Sequence, residues 1–452
     1  MRWDPLCPSS VATRQEKNSK ITVGYIYGYN YDYKFEASAL PWNVTHLNWI
    51  AFESDDTSNK EIPLSGSHTY LNTTVQYRNV NKINTKIFLA IVLSGDININ
   101  NKFKDKDPFA SNTTERASFV NNVINFVHKF ELDGVDLEYP DRYGCGKWNG
   151  SENFIPLVDE LSSALKVISK TLSITVGNNP IQGLNIGSTE FINVMPYRQN
   201  EISNTTGPSI TLDQISNIMD DWSKTVEPKK LILGVVLYGV IELTMPIEGN
   251  LESNSTAPLD ITADIKYSVF GGSFSSDYDA TSSYYDVCSF KEVYYLNVGS
   301  CQAIRSKSGP LLSSCTAQNG WTRVFDDNVK STYLYKVYNT SLVVGSPNPL
   351  TTYYYVTYED SQSIQHKLKL ITDKSYGGIA LDGMEDGCED MISAVESIFP
   401  LDGFNPPNTS TGSGTNALSV IIIIIVCLVF CGCCGGGGKV YYDKYGNQYV
   451  RR

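Results

Sequence analysis

Short apolar runs alternate with segments of helical periodicity along most of this chain. This alternation is typical of βα units, in which each helix returns the chain to the start of the next parallel strand. Helix candidates such as 115–130 and 152–170 separate the runs. The runs are residues 21–29, 46–52, 86–93, 132–139, 172–176, 191–197, 231–238 and 377–381. Eight strands in this order predict an α/β protein, a (β/α)8 barrel with its chemistry at the carboxyl ends of the strands.

Three carboxylates, Asp133, Asp136 and Glu138, lie close together on the fourth predicted strand. Strand residues two apart share a face, so Asp136 and Glu138 point the same way, and like charges held close raise one of the two pKa values. A carboxyl group with a raised pKa can act as a general acid. The same acids could also be ordinary surface groups at a strand end. Their place on a barrel strand favours an active site or the remains of one.

Composition narrows the classes of partner. The net charge of -12 argues against the basic surface that nucleic-acid binding needs, so we expect no nucleic-acid partner. The 29 tyrosines suit stacking on sugars, although tyrosine is also a common strand residue. The four histidines are scattered and no Cys-x-x-Cys pair recurs at zinc spacing, so we expect neither a metal site nor a cofactor.

The rest of the chain, outside the predicted barrel strands, divides into several segments. Residues 1–20 are polar, and the barrel is predicted from 21–241 and 356–400. Residues 242–355 are too long for a simple helix and predict a small α+β insertion between strands 7 and 8. A linker at 401–416 precedes an almost uncharged run at 417–434, which as a helix would be about 27 Å long. This run predicts one transmembrane helix in the lipid bilayer, followed by a basic tail at 435–452.

The signals for location conflict. Eight Asn-x-Ser/Thr sequons favour a glycoprotein of the secretory pathway, and the six cysteines of the body could form disulfides. No signal peptide is visible near the start of the sequence. Either the start of the precursor is missing, or the C-terminal anchor inserts after synthesis and the body stays cytosolic. We expect a single-pass membrane protein with an extracellular or lumenal body and a short cytoplasmic tail.

Seven ordered segments of the chain resemble family-18 glycoside hydrolases, the chitinases and chitinase-like proteins. The matching segments are 23–25, 45–52, 116–140, 193–197, 233–239, 324–327 and 358–367. The resemblance implies a TIM barrel that binds or cleaves chitin, a β-1,4-linked polymer of N-acetylglucosamine. In this family the fourth strand carries D-G-x-D-x-D-x-E. Its Glu protonates the glycosidic oxygen, and its last inner Asp orients the substrate's own N-acetyl group as the nucleophile.

This chain is two residues short of that motif, which leaves two alignments. Aligned from the Asp133 side, Glu138 takes the place of the orienting Asp, and Pro140 stands where the acid belongs. Aligned from the Pro140 side, Glu138 is the acid and Asp136 the orienting Asp. The two placements differ by about 6 to 7 Å along the strand. We favour the second alignment, because loops absorb deletions more easily than the middle of a strand does.

The resemblance implies that Glu138, Asp136 and Tyr197 are catalytic. It also implies that the sugar is contacted by Asp133, Tyr25, Phe52, Met195, Tyr238 and Asp382. Other positions depart from the family: Ala90 begins the segment that matches the family's Ser-x-Gly-Gly, Arg198 replaces an Asp, and Asp382 or a neighbour replaces the Trp under the sugar.

Three functional hypotheses follow. The favoured one is a membrane-anchored chitinase-like protein that binds chitin or other N-acetylglucosamine-containing glycans with weak or absent hydrolysis. The alternative is an active membrane-tethered chitinase, and the third is a surface protein with no glycan ligand.

Overall fold

The computed structural model describes a closed barrel of eight parallel strands. The barrel strands are β1 Ile21–Tyr27, β2 His46–Ser54, β3 Lys86–Leu93, β4 Gly134–Glu138, β5 Thr171–Val176, β6 Ile192–Val194, β7 Leu231–Val236 and β15 Gly378–Asp382. Their order around the barrel is β1-β15-β7-β6-β5-β4-β3-β2. The described residues are 20–27, 37–40, 42–54, 67–93, 113–139, 151–196, 210–237, 239–246, 263–267, 283–285, 292–296, 322–342, 349–384, 389–400, 440–442 and 448–450. Each of the eight predicted strand runs overlaps one barrel strand, so the predicted barrel is confirmed.

Helices follow the strands and cover the outside of the barrel. The six α-helices are α1 Ser67–Asn81, α2 Thr113–Lys129, α3 Ser151–Val167, α4 Leu212–Trp222, α5 Ser361–Asp373 and α6 Glu389–Ile398. Short 3-10 helices occur at Ala37–Ala39, Ile186–Ser188 and Pro228–Lys230. Two helix starts are fixed by capping boxes, in which Thr211 and Asp360 accept hydrogen bonds from the first turns of α4 and α5.

Alternation along the strands divides the barrel into an outer and an inner core. Outward residues of β4, such as Val135 and Leu137, join a large apolar cluster with the helices. Inward residues form a smaller cluster that fills the barrel: Val23, Tyr25, Ile50, Phe88, Ala90, Phe191, Met195, Ile232 and Ala380. The inward positions of β4 are Gly134, Asp136 and Glu138, so both motif acids face the interior.

Closure of the barrel between its first and last strands requires a glycine. β1 pairs with β15 in parallel, with Ile21 opposite Gly378. A Cβ atom on Gly378 would lie 1.8 Å from the Ile21 carbonyl oxygen. Only a residue without a side chain fits between the two strands at this point.

A second sheet lies between β7 and β15 in the sequence. Its described strands are β8 Gly239–Pro246, β9 Ala263–Tyr267, β10 Ser283–Tyr285, β11 Glu292–Leu296, β12 Thr322–Asp326, β13 Ser331–Leu342 and β14 Pro349–Tyr358. All of their pairings are antiparallel. The described sheet extends a few residues beyond both ends predicted for the insertion, and its described residues form strands rather than the predicted mixture with helix.

Residues after Phe404 form a separate compact unit. Its described part is an antiparallel pair of strands, β16 Val440–Tyr442 and β17 Gln448–Val450. Across the part of the chain that the structure describes, no helix has both the length and the apolarity to cross a bilayer. The predicted transmembrane segment at 417–434 and all ten cysteines lie outside the described residues.

Candidate active site

Asp136 lies at the centre of a polar cage inside the barrel. Its Oδ1 accepts hydrogen bonds from Ser173 Oγ at 2.5 Å and Asn193 Nδ2 at 3.1 Å. Its Oδ2 accepts from Tyr25 Oη at 2.9 Å and Thr175 Oγ1 at 2.7 Å. These partners come from β1, β5 and β6, so one carboxylate joins four strands of the barrel. The Asp136 side chain is sealed from solvent, with 1% of the residue exposed.

The cage shifts the pKa values of its acidic groups. Burial raises the pKa of Asp136 because it disfavours the charged carboxylate, while hydrogen bonds from Ser173, Thr175, Tyr25 and Asn193 pull it partly back. Burial also raises the pKa of Tyr25 well above its usual value, and the neighbouring Asp136 charge raises it further. The Tyr25 phenol therefore stays protonated and serves as a hydrogen-bond donor to the carboxylate.

Glu138 is the next inward residue toward the carboxyl end of β4. It pairs in register with Val92 on β3 and Thr175 on β5, and 7% of it is exposed. The following residue, Tyr139, turns outward and packs edge-on against Phe154 of α3, with ring centroids 5.0 Å apart. Because side chains alternate along a strand, this outward contact of Tyr139 directs the Glu138 side chain into the interior of the barrel.

The geometry leaves Asp136 little capacity to hold a substrate. A carboxylate offers about four acceptor positions. Two donors approach each oxygen, and no solvent reaches the group. The hydrogen bonds therefore leave little room for the predicted role of Asp136 in holding an acetamido group, and that role stays a prediction. The predicted sugar contact of Tyr25 has the same standing, since its hydroxyl also contacts Thr175 Oγ1 at 2.5 Å and Asn193 Nδ2 at 2.7 Å.

Asp133 lies at the opposite end of the strand from Glu138. It immediately precedes β4, five residues or about 16 Å of strand from Glu138. Its carboxylate accepts hydrogen bonds from Arg78 of α1 and from the backbone N–H of Ile87, the latter at 2.8 Å. The side chain therefore ties a helix and two strands together at the amino end of the barrel, and the contact of Asp133 with substrate stays a prediction.

We expect Asp133→Asn to lower the free energy of unfolding by about 1–2 kcal/mol, because the charged partner of the Arg78 guanidinium is lost while an oxygen for Ile87 remains. Denaturant titration measures the loss. Calorimetry with a chitooligosaccharide should give the same affinity as the unchanged protein. A loss of affinity without a loss of stability would restore the substrate role of Asp133.

The structure describes only some of the remaining residues that were predicted to contact the sugar. Met195 follows β6, is buried and belongs to the inner cluster. Asp382 is the last residue of β15 and is also buried, and its backbone oxygen accepts a hydrogen bond from the Leu237 N–H. Phe52 lies on β2 beyond a register shift opposite β3, and its side chain is outside the described part. Tyr197 and Tyr238 lie outside the described residues.

Sequence reasoning missed three members of the cage, Ser173, Thr175 and Asn193. A signal for the first two was present, since polar and apolar residues alternate along β5 and place both hydroxyls on one face. Ser173 is also the direct register partner of Asp136. Among the described residues, no group of three or more His, Cys, Asp or Glu side chains is arranged to hold a metal ion.

Comparison with known proteins decides the family. The sequence profile described as Glycosyl hydrolases family 18 matches residues 21–381, which is most of the chain and all of the barrel strands except the last residue of β15. The chain belongs to glycosyl hydrolase family 18. The barrel, the inward carboxylates of β4 and the second sheet after β7 are thus parts of a family-18 protein.

Two curated relatives of this family-18 chain are chitinase-related. Chitinase A1 of Niallia circulans is 22% identical over 361 residues, covering 74% of this chain and 46% of the relative. A chitinase-like effector of Moniliophthora roreri is 25% identical over 302 residues, covering 60% of this chain and 68% of the relative. The match thus spans less than half the length of the bacterial chitinase.

Solved structures share the fold. The GH18 chitinase of Cycas revoluta in complex with (GlcNAc)3 has a TM-score of 0.57 at 19% identity and covers 84% of this chain and 99% of its own. The Group IV chitinase of Ostrinia furnacalis has a TM-score of 0.59 at 17% identity, covering 84% and 99%. At these identities the likeness concerns the fold.

Proposed function

We propose that this family-18 protein is a membrane-anchored chitinase-like protein that binds chitin or other N-acetylglucosamine-containing glycans, with weak or absent hydrolysis. Family membership supports a carbohydrate ligand. The structural neighbour from Cycas revoluta was solved with (GlcNAc)3, which supports N-acetylglucosamine oligosaccharides as the ligand class.

The saturation of Asp136 is the observation that carries the proposal. An orienting Asp must offer an oxygen to the substrate's acetamido N–H, and both oxygens of Asp136 already accept from two groups each. The next inward carboxylate toward the carboxyl end of β4 is Glu138. Glu138 therefore takes the place of the orienting Asp, which is the alignment that starts from the Asp133 side.

In this alignment the chain has no acidic residue at the position of the family's proton donor. The protonating Glu of the family stands two residues beyond the orienting Asp, and here that position is Pro140. Proline has no ionisable side chain, so it cannot protonate a glycosidic oxygen. Glu138 can still accept a hydrogen bond from an N-acetyl group. Binding is retained in this arrangement, and efficient turnover is not.

The active chitinase remains the second candidate, because Glu138 and the following Tyr139-Pro140 also match the end of the family motif. In that case Glu138 is the acid, and its removal abolishes cleavage. The two candidates make opposite predictions for the same substitution.

We expect the purified protein to bind a chitooligosaccharide in calorimetry and to release no detectable cleavage products. Glu138→Ala should weaken binding about 10- to 100-fold, since a charged acceptor of the acetamido N–H is lost. Glu227→Gln at an exposed site serves as the matched control and should bind normally. Cleavage that Glu138→Gln abolishes without unfolding the protein would establish the active enzyme instead. Absence of binding to both oligosaccharide and chitin would contradict both glycan hypotheses.

The membrane part of the proposal rests on sequence. Residues 417–434 are almost uncharged and precede a basic tail, in the pattern of a spanning helix with a cytoplasmic end. Protease protection on intact cells tests it. Digestion of the body by external protease, with a protected tail, is the expected result, and full protection of the body would contradict it.

A further inference from the structure

A second cluster of ionisable side chains lies at the amino end of the barrel, away from Glu138. His46 begins β2, Lys86 begins β3, and Glu190 lies two residues before β6. The His46 ring packs edge-on between two inner-core rings, 5.1 Å from Phe88 and 4.9 Å from Phe191 between centroids. His46 is buried, with 4% exposed. This cluster plays no part in the proposed function.

Hydrogen bonds decide which nitrogen of His46 carries the proton. Thr45 Oγ1 lies 2.7 Å from the Thr22 carbonyl oxygen, which can only accept, so the hydroxyl proton of Thr45 points there. The same oxygen lies 2.8 Å from His46 Nδ1. Nδ1 must therefore donate to it, and in a neutral ring Nε2 is then an acceptor. Burial lowers the pKa of His46 to about 3, which keeps the ring neutral.

His46 Nε2 faces another acceptor. It lies 3.9 Å from Glu190 Oε1, beyond hydrogen-bond distance. Lys86 Nζ occupies that same Oε1 at 2.7 Å. Three buried atoms around this point make no hydrogen bond: His46 Nε2, Glu190 Oε2 and Thr171 Oγ1. The Thr171 hydroxyl nevertheless lies near enough to Glu190 to help lower the pKa of its carboxyl group.

Leaving three such groups unpaired would be costly. A buried polar atom without a partner destabilises the folded state, and a buried water molecule is the usual partner where two to four polar groups converge. The set here comprises two acceptors, His46 Nε2 and Glu190 Oε2, and one hydroxyl that can donate. A molecule with two donors and an acceptor complements it.

We propose that the amino end of the barrel binds one buried water molecule, which donates to His46 Nε2 and Glu190 Oε2 and accepts from Thr171 Oγ1. This water joins the starts of β2 and β5 to Glu190, two residues before β6. It satisfies every unpaired atom of the cluster. A divalent cation fits the site less well, because the Lys86 ammonium already lies against the same carboxylate.

The test combines crystallography and NMR on the full chain. At a resolution of about 1.5 Å or better, we expect one density peak at about 2.7–3.2 Å from His46 Nε2, Glu190 Oε2 and Thr171 Oγ1. The ¹⁵N chemical shifts of His46 should identify a protonated Nδ1 and a bare Nε2 at neutral pH.

Thr171→Val removes one partner of the water at nearly constant side-chain shape. We expect the peak to vanish or weaken and the melting temperature to fall by about 1–3 °C. Binding of a chitooligosaccharide should be unchanged, which separates this result from any failure of the proposed function. The matched control is Thr73→Val, at an exposed threonine of α1, and it should retain the water.

Three outcomes overturn the proposal. One is a peak at about 2.0–2.2 Å from nitrogen and oxygen that a chelator removes, since such a peak is a metal ion. Another is the absence of density together with a proton on Nε2, since His46 would then face Glu190 directly. The third is Thr171→Val with unchanged density.

Discussion

Replacement of Asp136 by leucine should lower the free energy of unfolding by about 3–5 kcal/mol, the cost of leaving a buried polar network without its charged partner. The cage hydroxyls and the Asn193 amide would lose their common acceptor in a site closed to water. Chemical denaturation monitored by tryptophan fluorescence measures the loss. Asp373→Leu, at an exposed helical aspartate, is the matched control and should change stability by less than about 0.5 kcal/mol.

Asp136→Asn distinguishes a structural cage from a substrate contact. Asparagine keeps the shape and one acceptor oxygen, and it removes a charge that burial disfavours, as the raised pKa of Asp136 indicates. We therefore expect less than half of the leucine effect and little change in glycan affinity. If Asp136→Asn folds normally and loses glycan binding, Asp136 contacts the ligand and the alignment from the Pro140 side is correct.

Well between pH 6.5 and pH 3, the folded protein should lose about 1.4 kcal/mol of stability for each pH unit of acidification through His46 alone. In the unfolded chain the imidazole takes up a proton near pH 6.5, whereas burial, helped by the Lys86 charge and opposed by Glu190, lowers the folded pKa to about 3. Between these values the unfolded state binds one more proton, so acid favours unfolding. The pKa of Glu190 is lowered from 4.5, mainly by the Lys86 hydrogen bond acting against burial, and it adds a loss of the same sign in more acidic solution.

His46→Gln tests this slope. Denaturation curves between about pH 5 and pH 6.5 avoid most of the Glu190 contribution, and the variant should be flatter there by about 1 kcal/mol per pH unit on average. The control is His366→Gln. His366 is more accessible than His46 and its pKa is also lowered by burial, so its removal should flatten the curve far less. Equal slopes in His46→Gln and the unchanged protein would show that His46 is not buried in the neutral form.

The sequence placed the barrel strands well because each has a strong local signal. The run at 86–93 coincides with β3 Lys86–Leu93, and 231–238 contains β7 Leu231–Val236. Strands buried on both faces are short and uniformly apolar, and the helices between them fix their spacing. The insertion was harder to predict, since its bounds and strand content depend on pairings between residues far apart in the chain.

The candidate site was predictable at the level of which residues face inward. Period-two alternation correctly placed Asp136 and Glu138 on one face of β4. The same reasoning treated Asp133 as a member of that site, although it contacts Arg78 at the other end of the strand. A motif read along one strand gives no information about neighbours on other strands. The motif on β4 therefore could not distinguish a carboxylate enclosed by hydrogen-bond donors from one near the carboxyl end of the barrel.

The sequence by itself determined the βα order, the closed parallel barrel and the inward parity of the fourth-strand acids, because these follow from local periodicity and chain connectivity. The tertiary structure alone decided that Asp136 is enclosed by Tyr25, Ser173, Thr175 and Asn193. The tertiary structure alone also decided that His46 faces Glu190 at the amino end of the barrel. Both arrangements join strands separated by more than a hundred residues. Burial and hydrogen-bond saturation are properties of three-dimensional neighbours, and strand closure is what brings those neighbours together.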